Sequence, residues 1–370
     1  MSVENPTAAA LEQVGEPESG SAQIGGQGIR GYFAQHSTLA YVLRRFGLYL
    51  LTLWAAITAT FFFFRLIPGN PIGAYIQNLQ QNYDYNATAS QGVINHYKAV
   101  FGLNGSLLSQ YGHYMKQLVF HQNFGPSLIN YPESAQTVIS KSIPWTVGLL
   151  CVATAIAWIL GTLFGAVAGW RRNSKFSETA TWISVALAPV PFYFIGLVLV
   201  FLFAYRVPLF PAEAPYGVNV AATFSLPFIV SIIEHAVLPA LSIVVVTALG
   251  HMLGMRQQMV TVLGEDYLTF ARAKGLPSRR ILGRYAMPNC YLPQITNLMI
   301  SFGAIFGGNV LLEQLFSYPG VGFLLVKAIG QLDLNTVMGI TDIAIFGVLT
   351  AVFILDLVMP LLDPRIKYVR

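Results

Sequence analysis

Charged side chains are scarce in this sequence: Asp, Glu, Lys and Arg together make up 10% of its 370 residues. Hydrophobic residues make up 55% of the chain, and the mean hydropathy is +0.58. This composition lies outside the range of soluble globular proteins. It therefore excludes a soluble globular domain and indicates a membrane protein.

Cysteine is almost absent as well. The two cysteines, Cys151 and Cys290, fall near opposite faces of the membrane in the arrangement predicted below, and neither belongs to a CxxC pattern. A disulfide between them is therefore not expected, and the zinc and redox motifs that use paired cysteines are missing.

Several motifs of nucleotide-binding, metal-binding and catalytic sites are missing too. No Gly-Lys dipeptide occurs in the chain, so a phosphate-binding P-loop is excluded. His96, His113 and His121 have spacings of 17 and 8 residues, which match no helical pair of metal ligands. No Ser-His-Asp, paired-carboxylate or zinc spacing is evident. The sequence thus predicts no catalytic residue, cofactor site or metal site on this chain.

Long apolar runs are what the sequence has in abundance. A bilayer core requires about 20 apolar residues per helix. Six stretches qualify: residues 46–64, 143–170, 179–205, 236–255, 293–312 and 337–362. We predict an all-α polytopic membrane protein with six transmembrane helices, the first within residues 41–67 and the other five within residues 142–370.

A polar tail, residues 1–40, precedes the first run. It is rich in Gly, Ala, Ser and Gln and has no basic residue before Arg30, so we expect it to be disordered. A cleaved signal peptide is the alternative for the first run. That run is longer than the usual apolar region of about 7–15 residues, and a signal peptide lacks so long a polar tail.

The distribution of Lys and Arg predicts the orientation. With the N-terminus inside, 15 of the 21 basic residues lie in inner segments, as the positive-inside rule requires. Both termini are therefore predicted to be cytoplasmic, and the net charge of +5 does not indicate nucleic-acid binding. Residues 68–141 then form an external subdomain with seven tyrosines, and the stretch 77–91 within it is rich in Asn and Gln.

One charged stretch, residues 265–288, lies on the predicted cytoplasmic side and holds seven charges, five of them basic. Asp266 is placed to cap a short helix, and Gly275 is placed to end it in a left-handed conformation. Pro277 prevents its continuation, and Ser278 is placed to cap a second helix that runs through Tyr285. The pattern predicts a cytoplasmic helix–turn–helix.

The order of residues in this stretch resembles the cytoplasmic loop of ABC importer permeases, in which a glycine is followed by a proline 13 positions later, here Gly275 and Pro288. Thr269 stands where that motif usually has glutamate. This departure is common in the dipeptide/oligopeptide/nickel branch of the family. In that family this loop docks on the ATPase subunit. The resemblance assigns docking to the following residues: Asp266, Tyr267, Phe270, Ala271, Arg272, Ala273, Lys274, Gly275, Leu276 and Pro288.

Further motifs in the same order resemble this branch. They are "RLIPGNP" (65–71), "YGHYMKQLVFHQNFGPSL" (111–128), "HAVLPALSI" (235–243), "LLEQLFSYPGVG" (311–322) and "LLDPRIK" (361–367). Asn70 departs from the aspartate that is more usual there. The resemblance implies a multi-pass permease subunit in the bacterial inner membrane that forms half of a translocation pathway. Its expected partners are a second permease, two ATPases carrying ATP and Mg, and an external solute-binding protein.

Two further residue sets are candidates for packing or transport. Gly161, Gly165 and Gly169, and separately Gly303 and Gly307, have the four-residue spacing of close helix packing. Ionisable residues are rare inside spans, and this chain has Glu313, Asp342 and Asp356 there. These carboxylates could be anchored by local donors, or they could carry protons in a self-sufficient secondary transporter, which is the alternative to the ATP-driven importer.

The transported solute remains open at this point. The family takes up dipeptides and oligopeptides, nickel and, in some members, oligosaccharides. Peptide is the default expectation. The residue patterns "IPWTVGLL" (143–150) and "AGWRR" (168–172) resemble those of family members that take up oligosaccharides.

Overall fold

The computed structural model describes residues 37–66 and 99–362, and this part of the chain consists of helices and the turns between them. The helices are α1 (Ser37–Leu66), α2 (Leu107–His121), α3 (Ala135–Trp170), α4 (Lys175–Leu187), α5 (Phe192–Val200), α6 (Leu226–Val262), α7 (Asp266–Ala273), α8 (Ser278–Ile281), α9 (Met287–Ala304), α10 (Val310–Leu315), α11 (Val321–Gly330) and α12 (Leu334–Leu362). The predicted all-α class agrees with this architecture.

Four of these helices contain segments long and apolar enough to cross a bilayer: Tyr41–Leu66, Ala135–Trp170, Leu226–Val262 and Leu334–Met359. A fifth candidate within the described ranges is the pair Lys175–Leu187 and Phe192–Arg206, which is bent by 96°. Their apolar side chains face outward as well as inward, as expected for helices surrounded by lipid.

The bend in the third predicted run has a clear cause. Pro189 and Pro191 lie between α4 and α5, and two prolines this close together remove two backbone donors and crowd the preceding turn, which disfavours a continuous helix. The run 179–205 is therefore two helices with a sharp turn between them. Phe201–Arg206 continues α5 as a π-helical segment.

The fifth predicted run, residues 293–312, is also interrupted. Helix α9 ends at Ala304 and is followed by a 3₁₀ turn at Ile305–Gly307, and Gly308 has a φ of 73°. A side chain disfavours this left-handed conformation, and the backbone of Gly322 lies against Gly308. The chain then turns into the short helices α10 and α11 instead of completing the predicted run.

Helices α3 and α6 form the centre of the protein and run parallel to each other. Three glycines of α3 lie at their contact, where a β-carbon at Gly161 would meet Ala248 and His251, one at Gly165 would meet Met252, and one at Gly169 would meet Met259. The missing side chains let the two backbones approach closely. The core around this pair consists of Leu149, Leu150, Ala153, Ala157, Leu238, Ile243, Val244, Ile305, Leu312, Phe316 and Tyr318.

A buried carboxylate holds the α10–α11 hairpin to α3. Glu313 is fully buried, and its Oε1 accepts hydrogen bonds from the Thr146 hydroxyl at 2.8 Å and the Asn309 N–H at 3.2 Å. Its Oε2 accepts from the Phe323 N–H at 3.0 Å. Thr146 in turn accepts from the Val321 N–H at 2.7 Å. These bonds satisfy donors that the break in the helix leaves without intrahelical partners.

Replacement of Glu313 by glutamine is expected to lower the free energy of unfolding by about 2 kcal/mol, because an amide nitrogen cannot accept from the N–H and hydroxyl donors that surround it. Glu213→Gln is the matched control, since the Glu213 carboxylate is exposed and accepts only from Ser317 at 3.0 Å. Thermal unfolding in detergent measures both. Equal midpoints for the two variants would contradict the anchoring role of Glu313.

Helix α1 packs along α12, and α2 lies across the junction between them. Phe61 of α1, Tyr114 of α2 and Met338 of α12 form one buried cluster. Farther along the pair, the Arg45 guanidinium forms a 2.7 Å ion pair with Asp356, and the Tyr41 hydroxyl donates to the Asp356 carbonyl. Helix α12 is thereby attached to α1 at two separate levels.

Several predictions fall outside the described residues. They are the disorder of most of the tail 1–40, the structure of residues 67–98 with the Asn/Gln-rich stretch 77–91 and most of "RLIPGNP", and most of "LLDPRIK". The described residues 99–134, which belong to the segment predicted to be external, contain α2 and a turn joined by a bridge between Pro126 and Ser134.

Candidate partner-docking surface

The chain between α6 and α9 builds a compact bend. Gly275 has a φ of 73°, its N–H donates to the Arg272 carbonyl at 2.9 Å, and the Leu276 N–H donates to the Ala271 carbonyl at 3.3 Å. This pair of bonds is the Schellman motif, which satisfies the last carbonyls of a helix. The left-handed glycine predicted at position 275 is therefore present.

Two of the predicted caps are wrong. Glu265, not Asp266, occupies the N-cap position of α7, and no side chain caps that end. Likewise Pro277, not Ser278, occupies the N-cap position of α8. Asp266 still lies in the first turn of α7, where its charge interacts favourably with the helix dipole.

The second arm does not end at Tyr285 as predicted. Helix α8 runs into a π-helical segment, Leu282–Ala286, and this segment runs directly into α9. Residues 278–304 are therefore helical without interruption. Pro288, which cannot donate to the preceding turn, lies two residues after the π-helical segment, in the first turn of α9. The second arm of the bend and the fifth predicted span are thus one continuous helical segment.

The inner side of the bend is buried in an apolar cluster. Leu268 is fully buried and Ala271 is 4% exposed. The cluster around them contains Ala166 from α3, Met255, Met259 and Val262 from α6, and Ile281, Ala286 and Cys290 from the second arm and α9. Leu276 packs against its edge. Three long helices thus support α7, so its position is fixed relative to the membrane-spanning core.

The outer side of the bend is open. The Phe270 side chain is 69% exposed and Tyr267 is 37% exposed. Arg272 lies over the Trp170 ring of α3 at 5.9 Å, which ties the end of α7 to the neighbouring helix. The other basic side chains of the bend, Lys274, Arg279, Arg280 and Arg284, are all exposed. We call residues 265–288 the platform.

The platform has the properties of a docking surface. A large aromatic side chain exposed on a rigid support provides an anchor for a partner's pocket, and a basic rim favours an acidic partner. Of the predicted docking residues, Ala271 lies inside and packs the platform onto the core, whereas Phe270, Arg272, Ala273, Lys274 and Pro288 lie outside. The sequence pattern alone did not separate these two groups.

The same end of the molecule carries a concentration of positive charge. The residues are Arg171, Arg172, Lys175, Arg256, Arg272, Lys274, Arg279, Arg280 and Arg284. We call this the basic end. The Arg256 Nε donates to Ser177 at 3.2 Å, which joins α6 to α4.

The two glycine sets differ in how tightly they pack. A β-carbon at Gly303 would lie 2.8 Å from the Ala351 Cβ and 2.9 Å from the Val348 Cα, so α9 and α12 are in backbone contact there. At Gly307 the nearest atom, the Ala344 Cβ, is 3.5 Å away, which is an ordinary contact. The spacing of these two glycines is therefore not by itself a measure of close approach.

Each of the three membrane-region carboxylates has its own local partner. Asp356 pairs with Arg45, Glu313 accepts from Thr146 and backbone donors, and Asp342 accepts from the Tyr114 hydroxyl. Burial, followed by the neighbouring Asp342, raises the pKa of the Tyr114 hydroxyl above its ordinary value, which keeps it protonated as a donor. These contacts are the ones expected of anchoring groups.

A fourth anchored carboxylate, Asp333, was not predicted from the sequence. It is fully buried at the start of α12 and accepts from Ser127, the Leu128 and Ile129 N–H groups, and the hydroxyl and N–H of Thr336. The capping role of Asp333 could have been predicted from the local sequence, because an Asp three residues before Thr at the start of an apolar run is a capping pattern. Its contacts with residues 127–129 depend on the fold.

Neither a metal nor a disulfide site is evident in the described ranges. Cys151 and Cys290 are free thiols. No group of three or more His, Cys, Asp or Glu side chains there is arranged to hold a metal ion.

Comparison with known proteins gives consistent matches over this architecture. Residues 161–368 match the family described as binding-protein-dependent transport system inner membrane component. A dipeptide transport system permease protein of Bacillus subtilis (strain 168) is 30% identical over 331 residues, which are 88% of this chain and 97% of that protein. An oligopeptide transport system permease protein of Escherichia coli (strain K12) is 30% identical over 332 residues, which are 89% and 100% of the two chains.

Proposed function

Because the chain belongs to the family of binding-protein-dependent transport system inner membrane components, we propose that it is a membrane-spanning permease subunit of an ATP-driven importer. It is an inner-membrane protein, and the family relationship inferred from its motifs is confirmed. In this role it forms half of a translocation pathway with a second, homologous permease.

Six spans are the arrangement we propose, with both termini in the cytoplasm. Four are the long apolar helices, the third is the bent pair α4–α5, and the fifth is α9. At about 1.5 Å per residue, the 18 residues of α9 extend about 27 Å, close to the roughly 30 Å of a bilayer core, and the helical residues 278–286 continue from it into the platform. The positive-inside rule places the basic end in the cytoplasm, and α2 and the α10–α11 hairpin then lie outside.

The platform is the proposed docking site for an ATPase subunit. The observation that carries this assignment is the exposed Phe270 on a support buried against α3, α6 and α9. A partner that pulls on such a rigid element moves the helices behind it. ATP and Mg are assigned to the partner ATPases, since this chain has no P-loop, and an external binding protein is expected to deliver the solute.

Peptides are the proposed cargo. The relatives named above are a dipeptide permease and an oligopeptide permease, each aligned over nearly its whole length. The names of these two relatives give no support to oligosaccharide uptake.

Purification of the tagged chain from its native host in mild detergent, with co-purifying proteins identified by mass spectrometry, tests this function. We expect a second permease and two P-loop ATPases. Phe270→Asp should remove the ATPases and retain the second permease, because it places a charge at the centre of the docking anchor. Phe270→Trp, which keeps an aromatic anchor, should retain both.

Recovery of the wild-type chain alone, or only with copies of itself, would contradict the importer. Retention of the ATPases by Phe270→Asp would contradict the platform's role while leaving the importer intact. Because Phe270 is 69% exposed, neither substitution is expected to change the unfolding midpoint, which serves as the control for folding.

A further inference from the structure

A polar cavity of about 200 Å³ lies at the end of the molecule opposite the basic end. Its walls come from the end of α1, from one face of α2, from the turn 123–126 and from the start of α12. The polar side chains that face it include Arg65, Gln110, His113, Gln117, Asn123 and Asn335. The cavity therefore joins three helices, α1, α2 and α12, together with the segments 100–102 and 123–126.

Among the described residues, Arg65 is the only lysine or arginine that lines this cavity, and no aspartate or glutamate lines it. The Arg65 Nε is buried without a hydrogen-bond partner, and within the described ranges no ion pair includes Arg65. Its guanidinium lies 5.5 Å from the Phe61 ring centroid. A partly buried guanidinium is stabilised most by an anion that accepts from its fork of N–H donors.

Two described carboxylates near the cavity do not pair with Arg65. Asp333 shares a separate small cavity with Arg65, but it accepts from five donors in the turn 127–129 and in Thr336. Asp342 accepts from the Tyr114 hydroxyl through Oδ2, its buried Oδ1 has no partner among the described residues, and neither carboxylate forms an ion pair with Arg65. The counter-ion that Arg65 lacks is therefore not supplied by these neighbours.

The walls of the cavity are held in place by their own hydrogen bonds. The Gln110 amide donates to the carbonyls of Leu103 and Gly105, and the Asn335 amide donates to the Pro126 carbonyl at 3.0 Å. Asn123 accepts from the Gly125 N–H at 2.8 Å. A ligand entering the cavity thus meets preformed walls, which reduces the entropy lost on binding.

We propose that this cavity binds a carboxylate: an aspartate or glutamate side chain that the external solute-binding protein inserts when it docks. The inference rests on the proposed function for the identity of the partner. The class of ligand is argued from charge and size. Among the described residues the one formal charge that lines the cavity is positive, and about 200 Å³ is smaller than the roughly 300–1,000 Å³ of sites that enclose small-molecule ligands. It fits one acidic side chain and not a whole peptide.

The first experiment titrates the cognate binding protein, loaded with peptide, against the complete importer in nanodiscs and follows stimulated ATP hydrolysis. Arg65→Gln should raise the half-saturating concentration of binding protein at least tenfold and leave the maximal rate unchanged. Arg65→Lys should have an intermediate effect, because it keeps the charge but loses the fork. Lys116→Gln is the matched control, as Lys116 is an exposed cation of α2 that does not line the cavity.

An unchanged half-saturating concentration for Arg65→Gln, or equal shifts for Arg65→Gln and Lys116→Gln, would overturn the proposal. A raised KM for peptide at saturating binding protein would also overturn it, because the carboxylate would then belong to the cargo. Equal unfolding midpoints of the variants control for folding.

A second measurement tests ligand binding in the cavity with the purified chain alone, without the other subunits of the importer. N-acetyl-aspartate amide and N-acetyl-asparagine amide are titrated against the purified chain and detected by saturation-transfer NMR. The aspartate probe alone should bind, and Arg65→Gln should abolish its binding. If this holds while no binding protein stimulates the importer, the proposed function fails and the carboxylate site stands.

An occupant from the same chain is the remaining competitor. Asp84 is the only carboxylate between residues 67 and 98. If the wild-type chain does not bind the aspartate probe and Asp84→Asn does, the site is filled internally and the docking proposal is wrong. If Asp84→Asn leaves both measurements unchanged, the external carboxylate is supported.

Discussion

Tryptophan at position 275 is expected to reduce transport at least a hundredfold while the protein remains folded and inserted. Gly275 lies at the exposed bend of the platform, and apart from its chain neighbours no atom lies within 4 Å of a β-carbon built there, so a side chain points into open space. It would instead occupy the surface on which the ATPase is proposed to dock. The φ of 73° adds a strain of about 1–2 kcal/mol for a residue other than glycine.

Uptake of labelled peptide by cells that express the complete importer measures this effect. Gly275→Asn separates strain from bulk, because asparagine tolerates the left-handed conformation, and it should retain most of the transport. Gly47→Trp places the same side chain on the exposed side of α1, where a β-carbon also has no atom within 4 Å, and should transport normally. Normal uptake by Gly275→Trp would show that the platform's bend does not contact a partner.

A single methyl group at Gly165 is expected to lower the free energy of unfolding by about 2–3 kcal/mol. The added β-carbon would lie 2.5 Å from the Met252 carbonyl oxygen and 2.8 Å from the Met255 Cβ, so the obstacle is largely the backbone of α6 and not the end of a flexible side chain. Relief requires α3 and α6 to separate along their contact, which removes packing on both sides.

Gly148→Ala is the matched control in the same helix. Nothing lies within 4 Å of a β-carbon at Gly148, and alanine is favoured over glycine inside helices by about 0.5–1 kcal/mol. Stability is therefore expected to be unchanged or slightly higher. Thermal unfolding midpoints in one detergent compare the two variants, and a Gly165→Ala midpoint equal to that of Gly148→Ala would show that α3 and α6 are not held in backbone contact.

Much of the architecture followed from local features of the sequence. The long apolar runs located α1, α3, α6 and α12, since a helix is the simplest way to satisfy backbone groups in lipid. The Gly275–Pro277 signal located the bend of the platform, because left-handed backbone and proline act within a few residues. The ordered motifs were enough to identify the family, which the match over residues 161–368 confirms.

The predictions that were wrong depended on contacts between distant residues. Run length suggested one continuous helix over 293–312, but the hairpin that replaces its end is held by Glu313 and Thr146, 167 positions apart. The caps assigned to Asp266 and Ser278 failed because the apolar cluster below the platform, not side-chain capping, fixes where α7 and α8 begin.

The sequence by itself determined the helical class, the membrane location, the family and the position of the bend at Gly275. Hydrophobicity, backbone conformation and motif order are all properties of short stretches. Only the tertiary structure decided which glycines bring backbones together, which carboxylates are anchored and that Arg65 faces a cavity. Those outcomes depend on which residues of other helices lie opposite, and helix–helix register is fixed by packing over the whole molecule.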